Sequence, residues 1–108
     1  DIIRVILDNL ILNSIQQNEF NQKLDISINI SFIDNKLHFI YSDNGKGLDK
    51  KYHSNPKKIL EVLESTRKNG HGLGMWMINN TINLSGGEII EIKGTNGFKI
   101  EFNLGDKS

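Results

Sequence analysis

The chain has 108 residues, 37% of them apolar, with thirteen basic and thirteen acidic side chains and no cysteine. That length suits one compact domain with one modest core and leaves little room for a second. The cancelled charge gives no long-range pull toward nucleic acid or an anionic membrane, disulfides and thiolate metal sites are excluded, and no apolar run approaches the roughly 20 residues of a spanning helix.

Residues 1–17, DIIRVILDNLILNSIQQ, have the length and composition of a helix. Ile3, Leu7 and Leu10 make one apolar face, while Ile2, Ile6, Asn9, Asn13 and Gln16 follow another at spacings of three and four. One face can pack on a sheet while the other presents amides to a cavity. Residues 18–23 read as a polar loop anchored by Phe20. From 24 to 33 the alternation of Leu24, Ile26, Ile28, Ile30 and Phe32 with polar residues predicts a half-buried strand. Asp34-Asn35 supplies a tight turn into a strand over 36–41, whose Leu37, Phe39 and Tyr41 alternate again, so a hairpin is expected.

Residues 49–71 carry six Lys or Arg and one Pro. They read as a partly helical crossover in which Ser54 or Asn55 caps a helix starting at Pro56, with Ile59, Val62 and Leu63 inward. Residues 73–85 suit a helix with Met75, Ile78 and Ile82 inward, ended by Gly86-Gly87, and Trp76 reads as core or interface packing rather than a base-stacking ring. The segments 88–93 and 98–104 then form a second hairpin around Gly94-Thr95-Asn96-Gly97. Two helices and four strands can form two layers, with the helices covering the sheet's one apolar face.

Three constellations carry chemistry. In NGHGLG (69–74), Gly70, Gly72 and Gly74 recur just before a helix, where bare backbone N–H groups and the helix's positive end suit a phosphate; a flexible hinge is the plainer alternative. In SDNGKGLD (42–49), Asp43 follows a strand that fixes it, so its carboxylate can accept a hydrogen bond from an exocyclic amine such as adenine's. Gly45 and Gly47 let the chain curl around a base, and Leu48 can touch its ring, although DNG alone also reads as an ordinary turn. Asn9 and Asn13 stack on one helix face, and an amide oxygen suits the completion of a Mg²⁺ shell made otherwise by phosphate and water.

In that order, LDNLILNS (7–14), SDNGKGL (42–48) and NGHGLGMWMI (69–78) resemble the N, G1 and G2 boxes of the ATP-binding superfamily that contains gyrase B, the Hsp90 chaperones, histidine kinases and the MutL mismatch-repair proteins. The resemblance spans essentially the whole chain and is closest to the catalytic domain of bacterial sensor histidine kinases. It implies an α/β two-layer sandwich of the Bergerat type, with helices on one face of a mixed, largely antiparallel sheet. Residues 1–108 would be a single ATP-binding catalytic domain excised from a longer kinase, an idea favoured by a chain that begins directly in a helical pattern.

By the same resemblance Asn13 binds Mg²⁺, Asp43 contacts the adenine amine, and Gly45, Gly47 and Leu48 shape the base pocket. Gly70, His71, Gly72, Leu73 and Gly74 accommodate the phosphates, and 49–71 is the nucleotide lid. Members that hydrolyse ATP place a glutamate where this chain has Asn9, and an amide is no general base at neutral pH. Asp8 is turned about 100° away and suits solvent exposure or a contact with Arg4. The implied activity is therefore transfer of the γ-phosphoryl of ATP to a histidine on a separate phosphoacceptor and dimerisation domain of the same parent, with a response regulator downstream. A hydrolysing or serine-phosphorylating relative and a degenerate nucleotide-gated module are the alternatives. His38, His53 and His71 do not resemble the phosphoacceptor.

The chain departs from the family where Gln16 replaces a common Lys, a loss that Arg67 and Lys68 are expected to offset at the polyphosphate. A phenylalanine-rich lid motif is missing, and Thr95 and Gly97 compete for one role in the last hairpin. No nucleic-acid partner and no membrane insertion of this domain are expected. A cytoplasmic location fits, and a membrane-anchored parent is compatible with it.

Overall fold

The computed structural model describes residues 1–19, 23–60 and 73–105, with the side chains of Leu73 and Gly74 outside that set. The roles expected of Phe20, Val62 and Leu63 therefore lie outside the described residues.

Helix α1 (Ile2–Gln17) starts where the Asp1 carboxylate accepts the Ile3 N–H at 3.1 Å, satisfying one of the free donors of the first turn. Its buried stripe is Ile6, Leu10 and Ser14, an i, i+4 row drawn from both of the expected faces. This corrects the two-faced reading: a single sheet lies beneath the helix, so one row points into the core while Ile3 and Leu7 flank it, only partly buried.

Strands β1 (Ile26–Ile33) and β2 (Lys36–Asp43) are joined by Asp34 and Asn35 at φ 52° and 65°. That left-handed pair matches the twist of the strands it connects. Helix α2 (Leu73–Leu84) ends as expected at the glycines: Gly86 takes φ 89° and the Gly87 N–H donates to the Ile82 carbonyl at 3.1 Å. Strands β3 (Glu88–Lys93) and β4 (Lys99–Leu104) complete an antiparallel sheet of order β1-β2-β4-β3.

Both helices lie on one face of the sheet. The core between the layers holds Ile6, Leu10, Ile78 and Ile82 from the helices and Phe39, Tyr41, Ile92, Ile100, Phe102 and Leu104 from the strands. Across the two central strands Phe39 and Phe102 stack with centroids 5.0 Å apart. The domain is thus the expected two-layer α/β sandwich with a Bergerat-type arrangement.

Two further expectations change. The apolar side of β1 pairs correctly, with Ile28, Ile30 and Phe32 opposite Tyr41, Phe39 and Leu37, yet β1 is an edge strand that the helices do not reach. Ile30 is 56% and Phe32 67% exposed, so the strand is not half-buried. Trp76, read as core or interface packing, is not part of the core: it stands exposed on α2.

Candidate functional site

At the C-terminal end of β2 the period-two alternation puts Tyr41 and Asp43 on the same side of the strand, both facing the helical layer. Asp43 is only 8% exposed, so its carboxylate needs donors, and it has them. The Gly45 and Phe98 N–H groups donate to Oδ1 at 2.9 and 3.1 Å, and the Ser14 hydroxyl donates to Oδ2 at 2.6 Å. Ser14 Oγ also lies 2.6 Å from the Tyr41 hydroxyl, which in turn donates to the Leu10 carbonyl at 3.0 Å. Burial, the largest cause, pushes the Tyr41 phenol above its ordinary value, and the Asp43 charge adds to the rise. The phenol is therefore a durable donor at neutral pH.

The rest of SDNGKGLD is held by its own polar atoms. Asn44 takes the Asp25 N–H on its oxygen and gives its amide to the Lys23 carbonyl, at 2.8 and 3.0 Å, fastening the loop to the start of β1. Asn18, just past α1, donates to the Ser14 carbonyl at 2.8 Å and accepts the Lys46 N–H at 2.9 Å. One side chain thereby closes the helix end and clamps the loop. Gly47 has φ +75° and a Cβ there would run into the Gly94 carbonyl, so only glycine lets these two loops lie together. The same holds for Gly97, at φ +80° against the Asp43 carbonyl.

Beyond this loop the chain turns through two short 3₁₀ segments, Lys50–Tyr52 and Pro56–Leu60; the second starts at Pro56 as the expected helix does, and the remainder of that helix lies outside the described residues. Asp49 caps the first by accepting the Lys51 N–H, and His53 Nε2 bonds the Leu48 carbonyl at 2.8 Å. Ile59 is buried, as expected of the inner face.

Between α1, this loop and the 3₁₀ segments lies a cleft of about 530 Å³. Asn13, Asp43, Gly47 and Leu48 line it together, and Gly45 borders it through its bond to Asp43. Asn9 does not line it: its amide donates to the Val5 carbonyl of its own helix at 2.7 Å. Thr95 is exposed in the β3–β4 turn, away from the lining. Arg67, Lys68, Gly70, His71 and Gly72 lie outside the described residues; Leu73 and Gly74 belong to the first turn of α2. Asp8 sits 3.6 Å from Arg4, the contact expected of it.

Sequence reasoning missed Ser14, Asn18, Met75 and Phe98, all of which line the cleft, and the buried hydroxyl of Tyr41. Ser14 carried a signal, being the one polar residue on the i, i+4 row of Ile6 and Leu10. Asn18 stood where a helix end needs a cap. Chemically, the cleft offers the carboxylates of Asp43 and Asp49, a neutral amide at Asn13, an apolar wall of Leu48, Ile59, Met75 and Phe98, and the cationic side chains Lys46, Lys50 and Lys51. Among the described residues no group of three His, Cys, Asp or Glu is placed to hold a metal ion, so a cation here would need oxygens from a ligand besides the amide.

Residues 1–107 match the model of a protein family described as histidine kinase-, DNA gyrase B-, and HSP90-like ATPase. No curated protein matches the chain. Among solved structures the fold is similar to the histidine kinase domain from the Erythrobacter litoralis EL346 blue-light activated histidine kinase, at 15% identity and a TM-score of 0.67, covering 95% of this chain and 42% of that one. It is also similar to full-length ShkA in complex with AMPPNP, at 22% identity and 0.70, covering 95% and 21%. The catalytic domain of histidine kinase ThkA, nucleotide-free, matches at 22% identity and 0.74, covering 97% and 66%. The chain spans less than half the length of the first two, and at these identities the likeness is one of fold.

Proposed function

The chain belongs to the histidine kinase-, DNA gyrase B-, and HSP90-like ATPase family, and from that premise we propose that it binds Mg²⁺-ATP and donates the γ-phosphoryl group to a histidine on a separate phosphoacceptor and dimerisation domain. The observation that carries this reading is the meeting of the Asp43 carboxylate and the Asn13 amide in one cleft of about 530 Å³, a size ordinary for a small-molecule site. The AMPPNP held by ShkA, a protein of similar fold, supports the choice of ligand.

The residues fit that ligand. Asp43, an acceptor with its donors already in place, receives the exocyclic amine of adenine, while Leu48 and Phe98 flank the ring. Asn13 contributes an amide oxygen to the metal, and the glycine-rich 70–74 segment with Arg67 and Lys68 is assigned to the triphosphate. Lys46, Lys50 and Lys51 add positive charge at the described side of the cleft. Bound Mg²⁺ would supply charge neutralisation at the transferring phosphoryl.

The described lining has no side chain from the Asn9 position, where hydrolysing members place their glutamate. Asp43 and Asp49 are its carboxylates; the first is tied to three donors and the second caps a 3₁₀ turn. Asn9 is an amide turned onto its own helix. The domain accordingly holds ATP without hydrolysing it efficiently, and the nucleophile comes from elsewhere: the phosphoacceptor domain of the parent kinase, with a response regulator next in line. The lid assigned to 49–71 lies, from residue 61 on, outside the described residues.

Calorimetric titration with an ATP analogue, with and without Mg²⁺, tests this. Mg²⁺-dependent binding is expected, weakened about 10- to 100-fold by Asp43→Asn, the loss of one hydrogen bond to a charged acceptor. A folded sample that gives no heat with any adenine nucleotide contradicts the reading.

A further inference from the structure

Resting on the nucleotide reading above, we propose that Ser14 and Tyr41 are positioning residues that set base specificity: a buried relay of hydroxyls, Tyr41 to Ser14 to Asp43, leaves one anionic acceptor facing the base and so selects a 6-amino purine over a 6-oxo purine.

The direction of the relay follows from counting protons. Three short contacts link Ser14 Oγ to Asp43 Oδ2 at 2.6 Å, Ser14 Oγ to Tyr41 Oη at 2.6 Å, and Tyr41 Oη to the Leu10 carbonyl at 3.0 Å. Ser14 and Tyr41 each have one hydroxyl proton, and neither a carbonyl nor an ionised carboxylate has any to give. The contact to the charged acceptor claims the Ser14 proton, since charge-assisted hydrogen bonds are the stronger ones. The equally short Ser14–Tyr41 contact must then use the Tyr41 proton, which it shares with the longer contact to Leu10, a carbonyl already placed to accept the helical N–H of Ser14. Burial holds that proton on the phenol.

This ordering fixes what Asp43 shows to the cleft. Oδ1 is filled by the Gly45 and Phe98 N–H groups, and one lone pair of Oδ2 is filled by Ser14. A single lone pair of Oδ2 remains, on a side chain that lines the cleft. A 6-amino group donates into it; a 6-oxo group brings a second acceptor against it, leaving both unpaired. By filling the other acceptor position of Oδ2, Ser14, itself held by Tyr41, fixes the orientation of that remaining lone pair, and through it the two hydroxyls act on the choice of purine.

The test compares AMPPNP with inosine triphosphate on the 108-residue chain and on Ser14→Ala, Ser14→Thr and Tyr41→Phe, with thermal melts to verify folding. The wild type is expected to prefer the adenine ligand by about 100-fold or more, as sites built around a substrate hydrogen bond do. Ser14→Ala should cut that ratio by about 10-fold, the share of one charge-assisted bond, with Ser14→Thr restoring it and Tyr41→Phe lowering it less. An unchanged ratio in folded Ser14→Ala, or in Tyr41→Phe should Ser14→Ala not fold, overturns the relay alone. Wild-type protein that binds neither nucleotide overturns the nucleotide reading and the relay with it.

Discussion

Asp43 joins β2 to α1 and to the loop before β4 through its three accepted hydrogen bonds, so its surroundings are exacting. Gly97→Ala would force a Cβ into the Asp43 carbonyl at a positive φ, and a loss of more than about 1 kcal/mol of stability is expected in denaturant titration. Tyr41 gives a pH signature. Its pKa in the folded protein is raised above the ordinary tyrosine value of 10.0 by burial, its largest cause. The neutral phenol therefore favours the folded state: that contribution is complete below about pH 10 and is lost as the pH climbs from there through the raised value. Stability curves on the alkaline side should fall less steeply in Tyr41→Phe than in the wild type. The acid at 43 was legible because it ends an alternating strand and opens a glycine loop. The hydroxyls of Ser14 and Tyr41 were not, because each reads as packing until partners 27 and 29 residues apart in the chain are brought together.

The helices and strands were legible as units, and the misreadings concern what covers them. Alternation reports which side of β1 is apolar and not whether a second layer lies over it. Tyr41, Phe39 and Leu37 share that side of the sheet with Ile28, Ile30 and Phe32, but α1 covers the inner strand rather than the edge. Ile30→Thr and Phe32→Thr are therefore expected to cost under about 1 kcal/mol each, against about 3–5 kcal/mol for Phe102→Ala in the stacked core. Equal costs at the two places, measured by chemical unfolding, would show that the edge is covered in solution. In α1 the periodicity marked two plausible stripes. Packing chose a row between them and left the Asn13 side on the cleft, so the cleft-lining amide was legible from its neighbours while the exact inward row was not.

Across the whole domain, the boxes at 7–14 and 42–48 meet although no local pattern connects them, and the sheet order explains how; residues 69–72 of the third box lie outside the described residues. Pairing β2 with β4 sets the loop after Asp43 beside Phe98 and the β3–β4 turn, and α1 crosses above with Asn13 and Ser14. The clamp by Asn18 and the close contact of Gly47 with Gly94 were beyond sequence reasoning, since both depend on loops meeting in space. The account stands on one convergence, of acid, amide and cleft around one adenine nucleotide. Amide chemical-shift mapping during titration with AMPPNP and Mg²⁺ tests it most directly. Saturable shifts are predicted at Asn13, Asp43, Gly45, Gly47 and Phe98, with His38 and Glu101 on the opposite face of the sheet unmoved. No saturable shift, or one centred on His38 and Glu101, would contradict it.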